Sequence, residues 1–102
     1  MGFITPLNSY SKKQVAVSKI AKAISHPARI AIIDLLNKND HTCFDIINEL
    51  PLAQSTVSQH LIELKKTQLI SGVDRPPKMV YKLNKKVYNE SKELLNSFFL
   101  LV

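Results

Sequence analysis

The chain has 102 residues, of which 45% are hydrophobic and 22% charged, with a net charge of +6 and a pI near 9.6. That fits one globular domain over residues 1–102, large enough for a single core, and excludes a disordered chain. No apolar run approaches the roughly 18 residues needed to span a bilayer. MGFITPLNSY lacks the basic start and apolar stretch of a secretory signal, and the lone cysteine excludes an internal disulfide, so a cytoplasmic protein with no membrane partner is expected.

Residues 1–10 read as a flexible arm. Ser11 then starts a helix over 11–25, with Gln14 at the capping-box spacing and Val17, Ile20, Ala21 and Ile24 on one face. His26-Pro27 restarts the chain, because proline is favoured at a first helical position. Residues 27–37 carry Ile30, Ile32, Ile33, Leu35 and Leu36 nearly all round, the pattern of a core helix. Residues 37–40 read as a loop. Thr42 caps a short third helix, with Asp45 at its third position and Phe44, Ile47 and Leu50 facing inward until Pro51 stops it.

A turn over Pro51–Gln54 leads into QSTVSQHLIELKK, residues 54–66. Two helices joined so closely form a helix-turn-helix, although the glycine common in such turns is missing. Residues 68–74 read as a strand, Arg75-Pro76-Pro77-Lys78 as a turn, and 79–83 as a second strand. Asn84 caps a last helix over 84–102, with Val87, Ser91, Leu94, Leu95, Phe98 and Leu101 on one face. The expected fold is mainly α with a small β-hairpin, ordered α-α-α-α-β-β-α, a winged helix-turn-helix.

Charge is concentrated on this hairpin and what flanks it. Between Lys65 and Lys86 stand seven basic residues and one acid, and the remainder is neutral. A localised basic patch suggests a polyanionic partner, against the plain alternative of a solubilising surface. On the 54–66 helix, Val57, Leu61, Leu64 and Gln68 line one side, and Ser55, Gln59 and Lys66 lie opposite, flanked by Thr56 and Ser58. Short polar side chains are mediocre helix formers, but they suit the DNA major groove. Gln pairs bidentately with adenine, Ser and Thr donate or accept, and it is the start of the second helix that reaches the bases. The competing explanation makes Ser55 an N-cap and the rest a solvated face. No general base stands beside a serine and no Gly-rich phosphate loop is present, so an enzyme is not expected.

His26-Pro27-Ala28-Arg29-Ile30, then Ser55-Thr56-Val57-Ser58-Gln59-His60-Leu61 with Leu64 and Leu69-Ile70, then Lys78-Met79-Val80-Tyr81-Lys82-Leu83, together resemble the ArsR-type family of bacterial repressors over about residues 12–95. The resemblance implies a homodimer built on the first and last helices, here Val17, Ile20, Ile24, Leu94, Leu95, Phe98 and Leu101. It implies DNA contacts from the 54–66 helix and the wing. Ser55, Thr56, Ser58 and Gln59 match base-reading positions, His60 matches the family's histidine in that helix, near a phosphate or the helix junction, and Arg75 and Lys78 match the wing tip. Gln54 and His60 are further DNA-contact candidates, and Lys65 and Lys66 are expected to anchor the backbone. The closing FFLLV independently suggests an interface, unless it folds onto its own core.

Many proteins of that family sense metals through Cys-x-Cys-Asp on the third helix. Here Asp45 matches the aspartate, but Thr42 and Phe44 stand at the thiol positions and Cys43 lies between them. A second family site on the last helix needs a histidine, and none follows His60. No metal and no cofactor is therefore expected. Cys43 reads as a small core residue, with a redox or metal role together with His41 as the alternative. His26 reads as a cap or core-edge residue. Lys85 and Lys86 start the last helix against its dipole, beside a phosphate or simply solvated. The leading expectation is a transcriptional repressor that binds operator DNA as a homodimer. The alternative is a winged-helix module that binds a protein instead.

Overall fold

The computed structural model describes residues 9–100. Helix α1 (Lys12–Ala23) opens with the expected capping box: the Ser11 hydroxyl accepts from the Gln14 N–H at 3.0 Å, and the Ser11 N–H donates to Gln14 Oε1 at 2.9 Å. Helix α2 (Pro27–Lys38) starts at His26, whose Nδ1 accepts from the Ala28 N–H at 3.0 Å, so this histidine is a cap. The core-facing reading of α2 holds for Ile32, Ile33 and Leu36; Leu35 is half-buried, and Ala28, outside the expected set, is buried as well. Ile30 is instead 48% exposed.

A short strand, β1 (His41–Thr42), follows where a loop and a cap were expected. It pairs antiparallel with β3 (Lys78–Leu83), His41 facing Tyr81 and Thr42 facing Val80. With β2 (Ile70–Arg75) the sheet has three strands in the order β1-β3-β2. Two residues give little local signal for a strand, so only pairing along the exposed edge of β3 defines it. Thr42 also caps α3 (Cys43–Glu49), again with a capping box, through Asp45. Phe44 does not face inward. Ile46 is fully buried in its place, Ile47 and Leu50 pack against the core, and Phe44 is 68% exposed. The cap sets the rotation of this short helix, and that rotation turns its second residue outward.

Helix α4 (Gln54–Lys66) has the bounds read from the sequence, with Val57, His60, Leu61 and Leu64 buried. Gln68 belongs neither to α4's apolar side nor to β2. It is exposed and takes φ 63°, the left-handed conformation that closes a helix and favours glycine. The core joins Ile32, Ile33 and Leu36 of α2 to Ile46 of α3, to Val57, Leu61 and Leu64 of α4, and to Leu69, Ile70 and Leu83 of the wing. Gly72 in β2 leaves room for the wing's side chains, since a Cβ there would lie 3.1 Å from Met79 Sδ. Helix α5 (Lys85–Leu100) packs against α1, where Lys13 Nζ donates to Ser97 Oγ at 2.7 Å.

Candidate nucleic-acid interface

Burial of Val57, Leu61 and Leu64 holds α4 from beneath, each worth roughly 1.5–3 kcal/mol relative to exposure. What remains outside is the polar set. Gln54, Ser55, Thr56, Gln59, Lys65 and Lys66 are exposed, and Ser58 is half-buried at the edge of the face. Ser55 is not a cap: the N-cap of α4 is Ala53, which has no side-chain acceptor, and Ser55 is the second helical residue. The first N–H groups of α4 thus receive no side-chain cap. Ile62, 48% exposed, is the one large apolar residue outside on α4.

The wing tip places Arg75 opposite Lys78 across the two prolines, both exposed. Farther down the wing, Lys82 is paired with Asp40 at 3.5 Å. Exposed pairs of this kind contribute little to stability.

His60 lies at the helix junction. It is buried, its Nδ1 accepts from Arg29 Nε at 3.0 Å, and its ring centroid is 4.5 Å from that of His26. Arg29 Nη1 also reaches the Lys22 carbonyl at 3.2 Å, which ties the end of α1 to α2 and α4. Burial first, then the neighbouring His26 and Arg29, hold the His60 imidazole below its ordinary pKa. A neutral ring with Nδ1 free to accept fits all three. Of its two expected places, the structure gives the junction: His60 is buried against Arg29 and His26 and does not stand on the outward face of α4 with Ser55 and Gln59.

Glu63 was missed from the sequence, although its spacing from Gln59 and Lys66 is the helical neighbour spacing that could have found it. The Gln59 amide and the Lys66 ammonium both end on its Oε1, at 3.3 and 3.2 Å. Lys19 and Lys22 were missed too. Folding brings them from α1 beside Lys66, so the cationic surface is wider than the 65–86 window.

Between α1, α2 and α5, Ile20 and Ile24 of α1 and Leu95 of α5 line an apolar hollow of about 270 Å³ shared with Ile33, Tyr88 and Ser91. Val17, Leu94 and Leu95 are half-buried, and Phe98, Phe99 and Leu100 are exposed. FFLLV does not fold onto the core over its described part, and Leu101 lies outside the described residues. Thr42 is used as a cap and Phe44 offers no donor atom, so the third-helix positions do not fit a thiolate metal site. Among the described residues no cluster of three or more His, Cys, Asp or Glu is placed to hold a metal ion, and no helix is long and apolar enough to cross a membrane.

A helix-turn-helix with a buried inner face, a polar outer face and a cationic two-stranded wing defines the winged helix-turn-helix class of transcription regulators. The sequence model described as "Bacterial regulatory protein, arsR family" matches residues 26–71. The chain is 33% identical to the transcriptional repressor SdpR of Bacillus subtilis over 80% of its own length and 91% of that protein. It is 27% identical to the arsenical resistance operon repressor of Staphylococcus xylosus, over 79% and 81% of the two chains. Its fold matches that of HlyU from Vibrio cholerae with a TM-score of 0.72 at 25% identity, covering 89% and 99% of the chains. The chain belongs to the arsR family of bacterial regulatory proteins.

Proposed function

We propose that the chain is a single-domain, cytoplasmic transcriptional repressor that binds operator DNA sequence-specifically as a homodimer. The observation that carries this is the two-sidedness of α4: every large apolar residue but Ile62 is buried beneath it, and short polar groups fill the outward start of the helix. In this reading Ser55, Thr56, Ser58 and Gln59 meet base edges, Gln59 pairing with an adenine and the hydroxyls donating or accepting. Lys65, Lys66, Arg75 and Lys78 anchor phosphates, and Gln54 sits at the uncapped end of α4, where free N–H groups favour an anion. His60 takes no outward part. It holds α4 at the angle fixed by Arg29.

A second copy would cover Val17, Leu94 and Phe98, and would set two α4 helices about 10 bp apart or a multiple of that. The test is fluorescence anisotropy with DNA from upstream of the gene and a shuffled control, at several salt concentrations. Tighter binding to the upstream duplex that survives excess control DNA is expected. Absence of binding even at low salt would overturn the proposal and favour a protein-binding winged helix, for which exposed Ile62 is the first contact to examine.

A further inference from the structure

Two residues assigned to reading and anchoring DNA share one acceptor. Gln59 Nε2 donates to Glu63 Oε1 at 3.3 Å, and Lys66 Nζ lies 3.2 Å from the same oxygen. The carboxylate stands in a groove otherwise charged by Lys19 and Lys22 of α1, Arg29 of α2 and Lys66 of α4. It is the more enclosed member of its ion pair: the Glu63 side chain is 24% exposed and that of Lys66 is 66% exposed. Its bond to Lys66, then the charge of Lys66, hold the carboxyl below the usual range and keep it ionised at neutral pH.

We propose that Glu63 is a positioning residue that sets DNA selectivity, by fixing the amide of Gln59 and cancelling the charge of Lys66. The inference rests on the DNA-reading assignment above. With one N–H of Gln59 on Glu63, the amide's orientation is set, and its carbonyl oxygen and second N–H remain for the N6 and N7 edge of adenine. Without Glu63 that orientation is lost, and its ordering must be made up on binding. The pair with Lys66 adds little to stability at so exposed a place. Its effect falls on affinity instead. A lysine already matched by a carboxylate adds less to the counterion release that drives sequence-independent binding. Glu63 thus weakens attachment to any DNA while sharpening attachment to the right one.

The test compares Glu63→Gln, Glu63→Ala, Gln59→Ala and the Gln59→Ala/Glu63→Ala double variant in the full chain, with melting curves as a folding control. Each is titrated across several salt concentrations against the tightest-binding duplex from upstream of the gene and against a random duplex. Both Glu63 variants should bind the random duplex more tightly, with a log–log salt slope steeper by up to about 0.9. Glu63→Ala should lower the specific-to-random ratio by roughly threefold to tenfold, part of what a whole base pairing is worth. Glu63→Gln keeps an oxygen for Gln59 and should lose less. In the Gln59→Ala background, Glu63→Ala should leave the ratio unchanged, because the amide it positions is gone. An unchanged salt slope, or an equal loss of ratio with and without Gln59, overturns the role of Glu63 even where the wild-type chain discriminates well. A wild-type chain that binds both duplexes alike overturns the DNA-reading assignment itself, and this inference with it.

Discussion

The helix-turn-helix and wing differ from the α1–α5 layer in how completely they bury what they carry. Helix α4 buries four of its 13 residues, and the fully buried side chains Ile32, Ile46, Val57, Leu61, Leu64 and Ile70 all lie in α2, α3, α4 or β2. Helix α5, at 16 residues, buries only Ser91, and α1 buries only Ala23. The α5 end leaves Phe98, Phe99 and Leu100 at 41%, 68% and 85% exposure, the two rings edge to face at 5.3 Å. Apolar surface gathered at one end of a small domain is the usual mark of an interaction site. The helix-turn-helix and wing close their core within the chain, although Phe44, Ile62 and Met79 stay exposed. The α1–α5 layer keeps apolar surface at the end of α5, which the proposed dimer would cover.

The largest effect should come from the closed core. Leu61→Ala removes a side chain that is 1% exposed at the centre of the core and should cost about 2–5 kcal/mol in chemical denaturation, at any protein concentration. Phe98→Asp should instead spare the protomer and act on association. In sedimentation, the variant should be monomeric at concentrations where the proposed wild-type dimer is populated, with loss of about 2 kcal/mol or more of association energy if Phe98 is central. If Phe98→Asp unfolds the protomer as Leu61→Ala does, the contrast between the regions is wrong.

Gln59→Ala touches neither core nor α5, and should cost about 1–3 kcal/mol of specific DNA binding with the melting temperature unchanged. Acid sharpens the contrast from within the junction. His60 has a folded pKa below its ordinary value of about 6.5. The unfolded chain therefore takes up a proton that the folded chain resists, and the stability this provides is lost as the pH falls from about 6.5 through the folded value. Thermal melting at pH 7 and pH 5 should show the loss, and His60→Asn should show less of it. Asp45 and Glu63, both held below their ordinary values, act in a separate and lower window. The smallest effect belongs to Gln68→Gly. Releasing a side chain from φ 63° should raise stability by up to about 1 kcal/mol, read as a small rise in melting temperature.

Much of the architecture was legible because local rules and global packing agree in it. Ser11 with Gln14, and Thr42 with Asp45, carry their capping boxes in the order of their residues. Pro27 starts α2, and the apolar spacing of Val57, Leu61 and Leu64 gives the inner face of α4. The outward polar start of that helix follows from the same periodicity, so most of the candidate interface could be read before any coordinates. Phe44 marks the limit of that reasoning. On a helix of seven residues, periodicity alone does not choose between Phe44 and Ile46 as the inward residue, and the packing chose Ile46.

The amino-acid sequence by itself determined the order of the five helices and the hairpin, the bounds of α4, the wing with its cationic tip and the chemistry α4 presents, because each depends on contacts within a few residues. Only the tertiary structure decided the rest. It paired two residues of β1 with β3, placed His60 inside against Arg29 and His26, set Lys19 and Lys22 beside Lys66, and left Phe98 to Leu100 outside. Each of these depends on groups distant in the chain, whose meeting is fixed by how the helices pack against one another.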